Sequence, residues 1–304
     1  MNRNKIIEIV KWVWLIAVLG GTGWYIYRNF REIGNYLANV SAFRLLISIL
    51  LLFIGKFVLA DMTRLSLKKA DCEVSYKEAL SINSVTQLGK YLPGGIWHFA
   101  GKFSVYKLKG LSVKDATKVM VIETFWLFSS AALIGIASLL IIGNQIPCEE
   151  IGVLCNPDRM KFYIIPVLIV WIVVSYLFEK IIFKDRIFDT NDFIFSLIEQ
   201  IITWLLLGIS FWLVFPPGSG FAIGIIGAFS ISWLVGYVAV FAPGGIGIRE
   251  LMLALLLGSY LSQSEVSIFA TIHRLIWVVA ELLLGGLSML IFGMPLNSSD
   301  IQRE

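Results

Sequence analysis

Glu123, Glu199, His273, Arg274 and Glu281 fall inside long apolar runs, and Lys90, Arg249 and Glu250 stand beside breaks in such runs. A charge at the centre of an inserted helix costs about 2.5–3.5 kcal/mol on insertion scales, so each needs a partner or a wet path. His273, Trp277 and Glu281 recur at i, i+4 and i+8 and therefore share one helix face. Two chemistries fit these residue types. Lys90, Arg249 and Arg274 suit the phosphate of a lipid headgroup, with Glu123, Glu250 and Glu281 balancing them. Alternatively, Glu123 and His273 supply the acid and base that a headgroup transferase needs. Glu199 follows Asp192 closely and is expected near the membrane interface, while Lys56 is expected to snorkel to water.

The breaks themselves are repeated. "ALSINSVTQLGKYLPGGI" begins at Ala79 and "AFSISWLVGYVAVFAPGGI" at Ala228, sharing an Ala-x-Ser-Ile start and a PGGI end. Proline removes a backbone donor and glycine frees the dihedrals, so Pro93, Gly94 and Gly95, and again Pro243, Gly244 and Gly245, end a helix sharply. Within a bilayer such backbone is tolerated only where protein buries it or it lines a wet cavity. A helix restarting just after each break would offer free N–H groups to a phosphate. The spacing also sets Glu123 and His273 at equivalent places after Pro93 and Pro243, as if their helices met and neutralised each other.

The elements that must carry these residues follow from composition. The 304-residue chain is 58% hydrophobic and 15% charged, with a mean hydropathy of +0.81, and its apolar runs approach the roughly 20 residues that cross a bilayer. The runs are continuous rather than alternating, which excludes a β-barrel. The expectation is an all-α polytopic integral membrane protein with about six full spans and two broken or re-entrant segments, arranged as two inverted-topology repeats. The first repeat, 1–142, would hold spans at 10–27, 45–60 and 119–142 with a re-entrant segment at 79–106. The second, 162–292, would hold spans at 162–178, 193–215 and 266–292 with a broken segment at 221–262, leaving a short tail at 293–304.

Of 25 Lys and Arg residues, 17 fall in segments that would be cytoplasmic with a cytoplasmic N-terminus, and 5 in those that would be outside. That predicts a multi-pass protein of the cell (inner) membrane with both termini in the cytoplasm. No cleavable signal peptide is evident. Cys148 and Cys155 share one loop and are open to pairing or to remaining thiols. A net charge of +4, with basic residues beside apolar helices, favours anionic headgroups and no nucleic acid. No P-loop, H-E-x-x-H, C-x-x-C or G-x-S-x-G occurs, so no enzyme activity, cofactor or metal is expected.

The stretches "QLGKYLPGGIW", "KGLSVKDATKVMVIE" and "PGGIGIREL" resemble the lysylphosphatidylglycerol synthase transmembrane-region family, the membrane module that precedes the aminoacyl-phospholipid synthase domain in bacterial multiple peptide resistance factor. The resemblance runs over nearly the whole chain. It implies a flippase-like role in moving lipids between leaflets, carried at Lys90, Pro93, Gly94, Trp97, Glu123, Pro243, Gly244, Gly247, Arg249 and Glu250. The synthase domain has no counterpart here, so aminoacylation is not expected. The expected partners are membrane lipids, as an anionic phospholipid or a polyprenyl-linked glycolipid. A homo-oligomer, or a scaffold role in a glycolipid or envelope-synthesis complex, stays open beside the transferase reading.

Overall fold

The computed structural model describes residues 41–91, 96–142, 161–216, 222–239, 245, 247–258 and 261–292, with single positions at 27, 30 and 34. Every regular element among them is helical. Five helices are long and apolar enough to cross a membrane: α1 (Ala42–Lys68), α4 (Val113–Ile141), α5 (Ile164–Ile182), α6 (Thr190–Leu213) and α9 (Gln263–Phe292). Four are shorter: α2 (Tyr76–Gln87), α3 (Trp97–Leu108), α7 (Ala222–Val238) and α8 (Ile248–Leu257), with a 3-10 turn at Leu88–Tyr91 after α2. The chain is an all-α polytopic membrane protein. The expected span at 10–27, the cysteines Cys148 and Cys155, and the tail at 293–304 lie outside the described residues.

The long helices overrun the apolar runs that announce them. The span expected at 45–60 continues to Lys68, and the one expected at 119–142 already begins at Val113. The extra turns are polar but paired. Asp61 binds Arg64 one turn on, Lys68 reaches Asp192 of α6 at 2.8 Å, and Lys69 reaches Glu179 of α5 at 2.7 Å. Helix starts are marked by side-chain caps. Ser75 with Glu78 forms a reciprocal box at α2, Ser112 accepts from the Asp115 N–H at α4, Asp189 caps α6, and Ser262 pairs with Glu265 at α9. The basic stretches 61–78 and 101–118 thus form helix ends and corners.

Those corners gather at one end of the bundle. Asp71 after α1 meets Arg186 after α5, and Lys118 in the first turns of α4 lies 3.6 Å from Asp185. Both open ends of the α2–α3 pair are here too, since Lys109, just past α3, binds Glu78 in the first turn of α2 at 2.6 Å. The α7–α8 pair opens at the opposite end. Gly227, near the start of α7, packs on Ser138 in the last turn of α4, and Ser262 turns the chain from α8 into α9. The tips of the two hairpins meet midway. Tyr237, the penultimate residue of α7, stacks edge-on against Phe128 halfway along α4 at 5.1 Å and contacts His98 at the start of α3.

Helix packing explains this register. α1 and α6 run antiparallel, locked at one end by Lys68 and Asp192 and at the other by reciprocal Ser48 and Ser210 hydroxyl–carbonyl bonds of 2.7 and 2.8 Å. α7 lies against α4 and α6, and α2 lies against α9 and α1. The α4–α7 contact depends on small residues, as is usual where the solvent is as apolar as the side chains. α5 buries only Trp171, Ser175 and Glu179, an i, i+4, i+8 stripe, and leaves Ile165, Ile169, Val173 and Ile181 exposed as a lipid-facing surface.

A Cβ on Gly227 would stand 2.3 Å from the Ser138 Cβ, whereas one on Gly286 of α9 would meet nothing within 4 Å. Gly227→Ala is expected to lose about 1–3 kcal/mol through overpacking. Gly286→Ala should hold or gain up to about 1 kcal/mol, since alanine is the better helix residue. Thermal unfolding of the two variants in the same detergent gives the comparison, and an unchanged Gly227→Ala protein would contradict the packing.

Candidate functional site

α9 supplies the backbone of the site through the face expected from the sequence. His273 sits edge-on to Trp277 at 6.1 Å, and the Trp277 indole N–H donates to Glu281 Oε1 at 2.8 Å. Glu281 is 3% exposed, and its carboxylate is saturated with donors. Lys90 donates to Oε1 at 2.5 Å, Lys56 of α1 donates to the same oxygen, and the Tyr91 hydroxyl donates to Oε2. Lys56 Nζ also lies 3.8 Å above the Trp277 ring, a cation–π contact. Lys56 therefore does not snorkel. It is 8% exposed and shares Glu281 with Lys90, because a carboxylate at that depth draws cations from two elements.

The 3-10 turn presents Lys90 and Tyr91 to Glu281 only because Gly89 lets it lie against the start of α3. A Cβ at Gly89 would stand 2.7 Å from the His98 N atom and 2.8 Å from the Trp97 carbonyl carbon. Leu88 then packs on Gly285 of α9, where a Cβ would sit 2.7 Å from the leucine side chain. Trp97 is 43% exposed at the start of α3, and Ile96 provides no side-chain cap there. Pro93, Gly94 and Gly95 lie outside the described residues, as do Pro243 and Gly244.

The second break is held differently. Gly245 has φ +72° and Gly247 φ +83°, a region that suits glycine. Arg249, in the first turn of α8, lays its stem across Gly236 of α7, where a Cβ would stand 2.3 Å from the arginine Cγ. Its guanidinium lies 5.4 Å from the Trp233 ring, and its Nε is buried with no hydrogen-bond partner among the described residues. Glu250 closes the turn into the helix, while Gly247 supplies no side-chain cap to the first helical N–H groups. Its Oε2 accepts from the Gly247 N–H at 2.8 Å, and its Oε1 accepts from Arg274 at 2.9 Å.

The expected meeting of Glu123 with His273 and Arg274 does not occur. Glu123 is bound by Lys102 at 3.0 Å and by the Tyr106 hydroxyl at 2.8 Å. His273 faces the Ser210 hydroxyl at 3.1 Å inside a ring of Phe211, Phe229 and Trp277. Equivalent places in two halves are not adjacent places, since α4 packs on α7 and α9 on α2. Glu199 lies against Asp61 of α1, well inside α6. Sequence reasoning missed Lys56, Tyr91, Lys102 and the His98–Tyr237 contact. A lysine in the middle of an apolar run was the signal for the first of these.

Three small cavities follow one another through these groups. One of about 50 Å³ is lined by Lys90, Arg249, Glu250, His273, Arg274 and Trp277. The next, about 90 Å³, shares Lys90, Arg249 and Trp277 and adds Lys56, His98 and Tyr237. The third, about 50 Å³, shares His98 and Tyr237 and reaches Asn83, Lys102 and Glu123. Each has room for water and polar walls to hold it. His98 Nε2 and Tyr237 Oη, 2.9 Å apart, line both of the last two. Of the expected residues, Lys90, Arg249, Glu250, His273, Arg274 and Glu281 converge, while Glu123 belongs to the far cavity and Trp97 to none of the three.

Removing Glu281 as a charge leaves two buried lysines unmatched. Glu281→Gln should therefore cost about 3–5 kcal/mol, as when one partner of a buried pair is deleted. Adding Lys56→Met should recover part of that loss, because one of the stranded cations goes with it. A double-mutant cycle read by thermal unfolding tests this, and strictly additive losses would show that the lysines do not share the carboxylate.

The model of the family described as "Lysylphosphatidylglycerol synthase TM region" matches residues 10–285. No individual curated protein matches the chain. With its breaks, its helices and nearly its whole length inside that match, the chain belongs to the lysylphosphatidylglycerol synthase TM region family.

Proposed function

We propose that this protein is a flippase-like lipid transporter that moves a phospholipid or lipid-linked headgroup between leaflets of the inner membrane. One observation carries the reading: two hairpins opening at opposite ends of the bundle meet tip to tip at mid-depth, where Lys90, Arg249 and Arg274 line a polar cavity. Irregular backbone and cations at that depth suit a phosphate that has left water. The membrane-lipid association of the family supports the same class of ligand.

The two hairpins are read as re-entrant segments of an inverted repeat. The packing pattern supports this. Exchanging α1 with α6, α2 with α7, α3 with α8 and α4 with α9 turns the packed pairs α1–α2, α2–α3, α3–α4 and α2–α9 into α6–α7, α7–α8, α8–α9 and α7–α4, which also pack. In this reading the basic end faces the cytoplasm, both termini lie there, and the protein is not an enzyme. The transferase reading needs Glu123 and His273 to act together, and their side chains bind different partners. Homo-oligomerisation or an envelope-synthesis partner is compatible with the transporter reading.

Reconstitution in liposomes with acyl-labelled fluorescent lipids, read by a quencher that reaches one leaflet, tests the function. Arg249→Ala is expected to fold and to slow lipid movement by about tenfold or more, since a charge-assisted bond to phosphate contributes about 1.5–3 kcal/mol. Movement at the unaltered rate would remove the cavity from the pathway, and conversion of lipid into a new species would favour an enzyme. Topology has its own test. With Cys72, Cys148 and Cys155 replaced, Ser112→Cys and Ser262→Cys should react with an impermeant thiol reagent from opposite sides, Ser112→Cys from the cytoplasm.

A further inference from the structure

Among the described residues, the charges around the hairpin tips do not balance. Lys56 and Lys90 share the single carboxylate of Glu281, and Arg274 is matched by Glu250. Arg249 lies beside them with no ion pair among the described residues, its Nε buried and unbonded. The residues of the breaks themselves, 92–95 and 240–244, carry no charge in the sequence and cannot supply the missing anions. Among the described residues, four basic side chains thus face two carboxylates, Glu281 and Glu250, around two cavities that share Lys90 and Arg249. A guanidinium keeps its proton at any working pH, so the Arg249 charge is permanent. Glu281 already accepts from two lysines, an indole and a phenol, and Glu250 is engaged by Arg274 and the Gly247 N–H.

From this surplus we infer that the lipid carries two negative charges on its phosphate portion, as a phosphomonoester or diphosphate headgroup, and that zwitterionic and net-cationic headgroups are disfavoured. The inference rests on the transporter reading for its ligand being a lipid. A phosphomonoester bears about −1.5 to −2 charges near neutral pH, which matches one unpaired guanidinium and one surplus lysine. A phosphodiester supplies one charge and leaves a cation uncompensated. The lysylphosphatidylglycerol headgroup that gives the family its name combines one phosphate with two ammonium groups, adding positive charge where it is already in excess. Its ammonium groups would have to displace Lys56, Lys90 or Arg274 from their carboxylates.

Two readouts on the full chain separate this inference from the function. In detergent, short-chain phosphatidic acid, phosphatidylglycerol, phosphatidylcholine and lysylphosphatidylglycerol are titrated against thermal unfolding. In liposomes, acyl-labelled versions of the same lipids are followed across the bilayer. The expected order of binding is phosphatidic acid, then phosphatidylglycerol, then the other two, with about tenfold between the first and phosphatidylcholine. Arg249→Gln should compress that ratio to about twofold while Gly286→Ala leaves it intact. Equal stabilisation by phosphatidic acid and phosphatidylcholine, or tighter binding of lysylphosphatidylglycerol, would overturn the charge inference. The binding order together with no movement of any lipid would uphold the inference and overturn the transporter reading. Movement of all four lipids without a binding order would do the reverse.

Discussion

The Glu281 carboxylate holds the middle of this protein together. One buried anion accepts from Lys56 on α1, Lys90 and Tyr91 on the turn after α2, and Trp277 on its own helix. Neither the acid nor the lysines could stay ionised at that depth without one another. Their mutual need fixes the tip of the α2–α3 hairpin onto α9 and draws α1 to the same point. Gly89 and Gly285 serve this joint by letting the turn approach α3 on one side and α9 on the other.

The second hairpin reaches the same depth without a shared carboxylate. Its tip is positioned by sterics: left-handed glycines at 245 and 247, and a groove at Gly236 that admits the Arg249 stem. Its one anion, Glu250, is committed to the start of α8 and to Arg274. The two hairpins are therefore alike in reaching the same depth and unlike in charge. A cavity at their junction takes its polarity from this mismatch, with the paired lysines on one side and the unpaired arginine on the other.

Much of this was legible in the sequence because bilayer physics leaves a coarse signature. Five of the expected spans are helices, both PGG motifs stand between pairs of short helices, and the His273–Trp277–Glu281 face is real. What failed were statements about which side chains meet. Matching offsets from Pro93 and Pro243 placed Glu123 and His273 at equivalent positions, yet Lys102, Tyr106 and Ser210 satisfy them. Sequence spacing gives a residue's face on its own helix, whereas pairing depends on which helices pack. Helix ends failed for a related reason. Charged residues end the apolar run of α1, but Asp61 with Arg64 and Lys68 with Asp192 let the helix continue through them.

The strengths of these contacts also say where the tips could part. Each hairpin is tied to α9 by ions: the first through Lys90 and Glu281, the second through Glu250 and Arg274. Among the described residues, the hairpins meet through the hydrogen bond between His98 and Tyr237 and the aromatic edges of Phe99 and Tyr237. A neutral hydrogen bond contributes about 0.5–1.5 kcal/mol net, far less than breaking a buried ion pair costs. Both partners of the His98–Tyr237 bond line the cavity of Arg249 and the cavity of Lys102 and Glu123. In the proposed transport, a headgroup passing along the cavities would open this contact while both ionic anchors on α9 stayed closed.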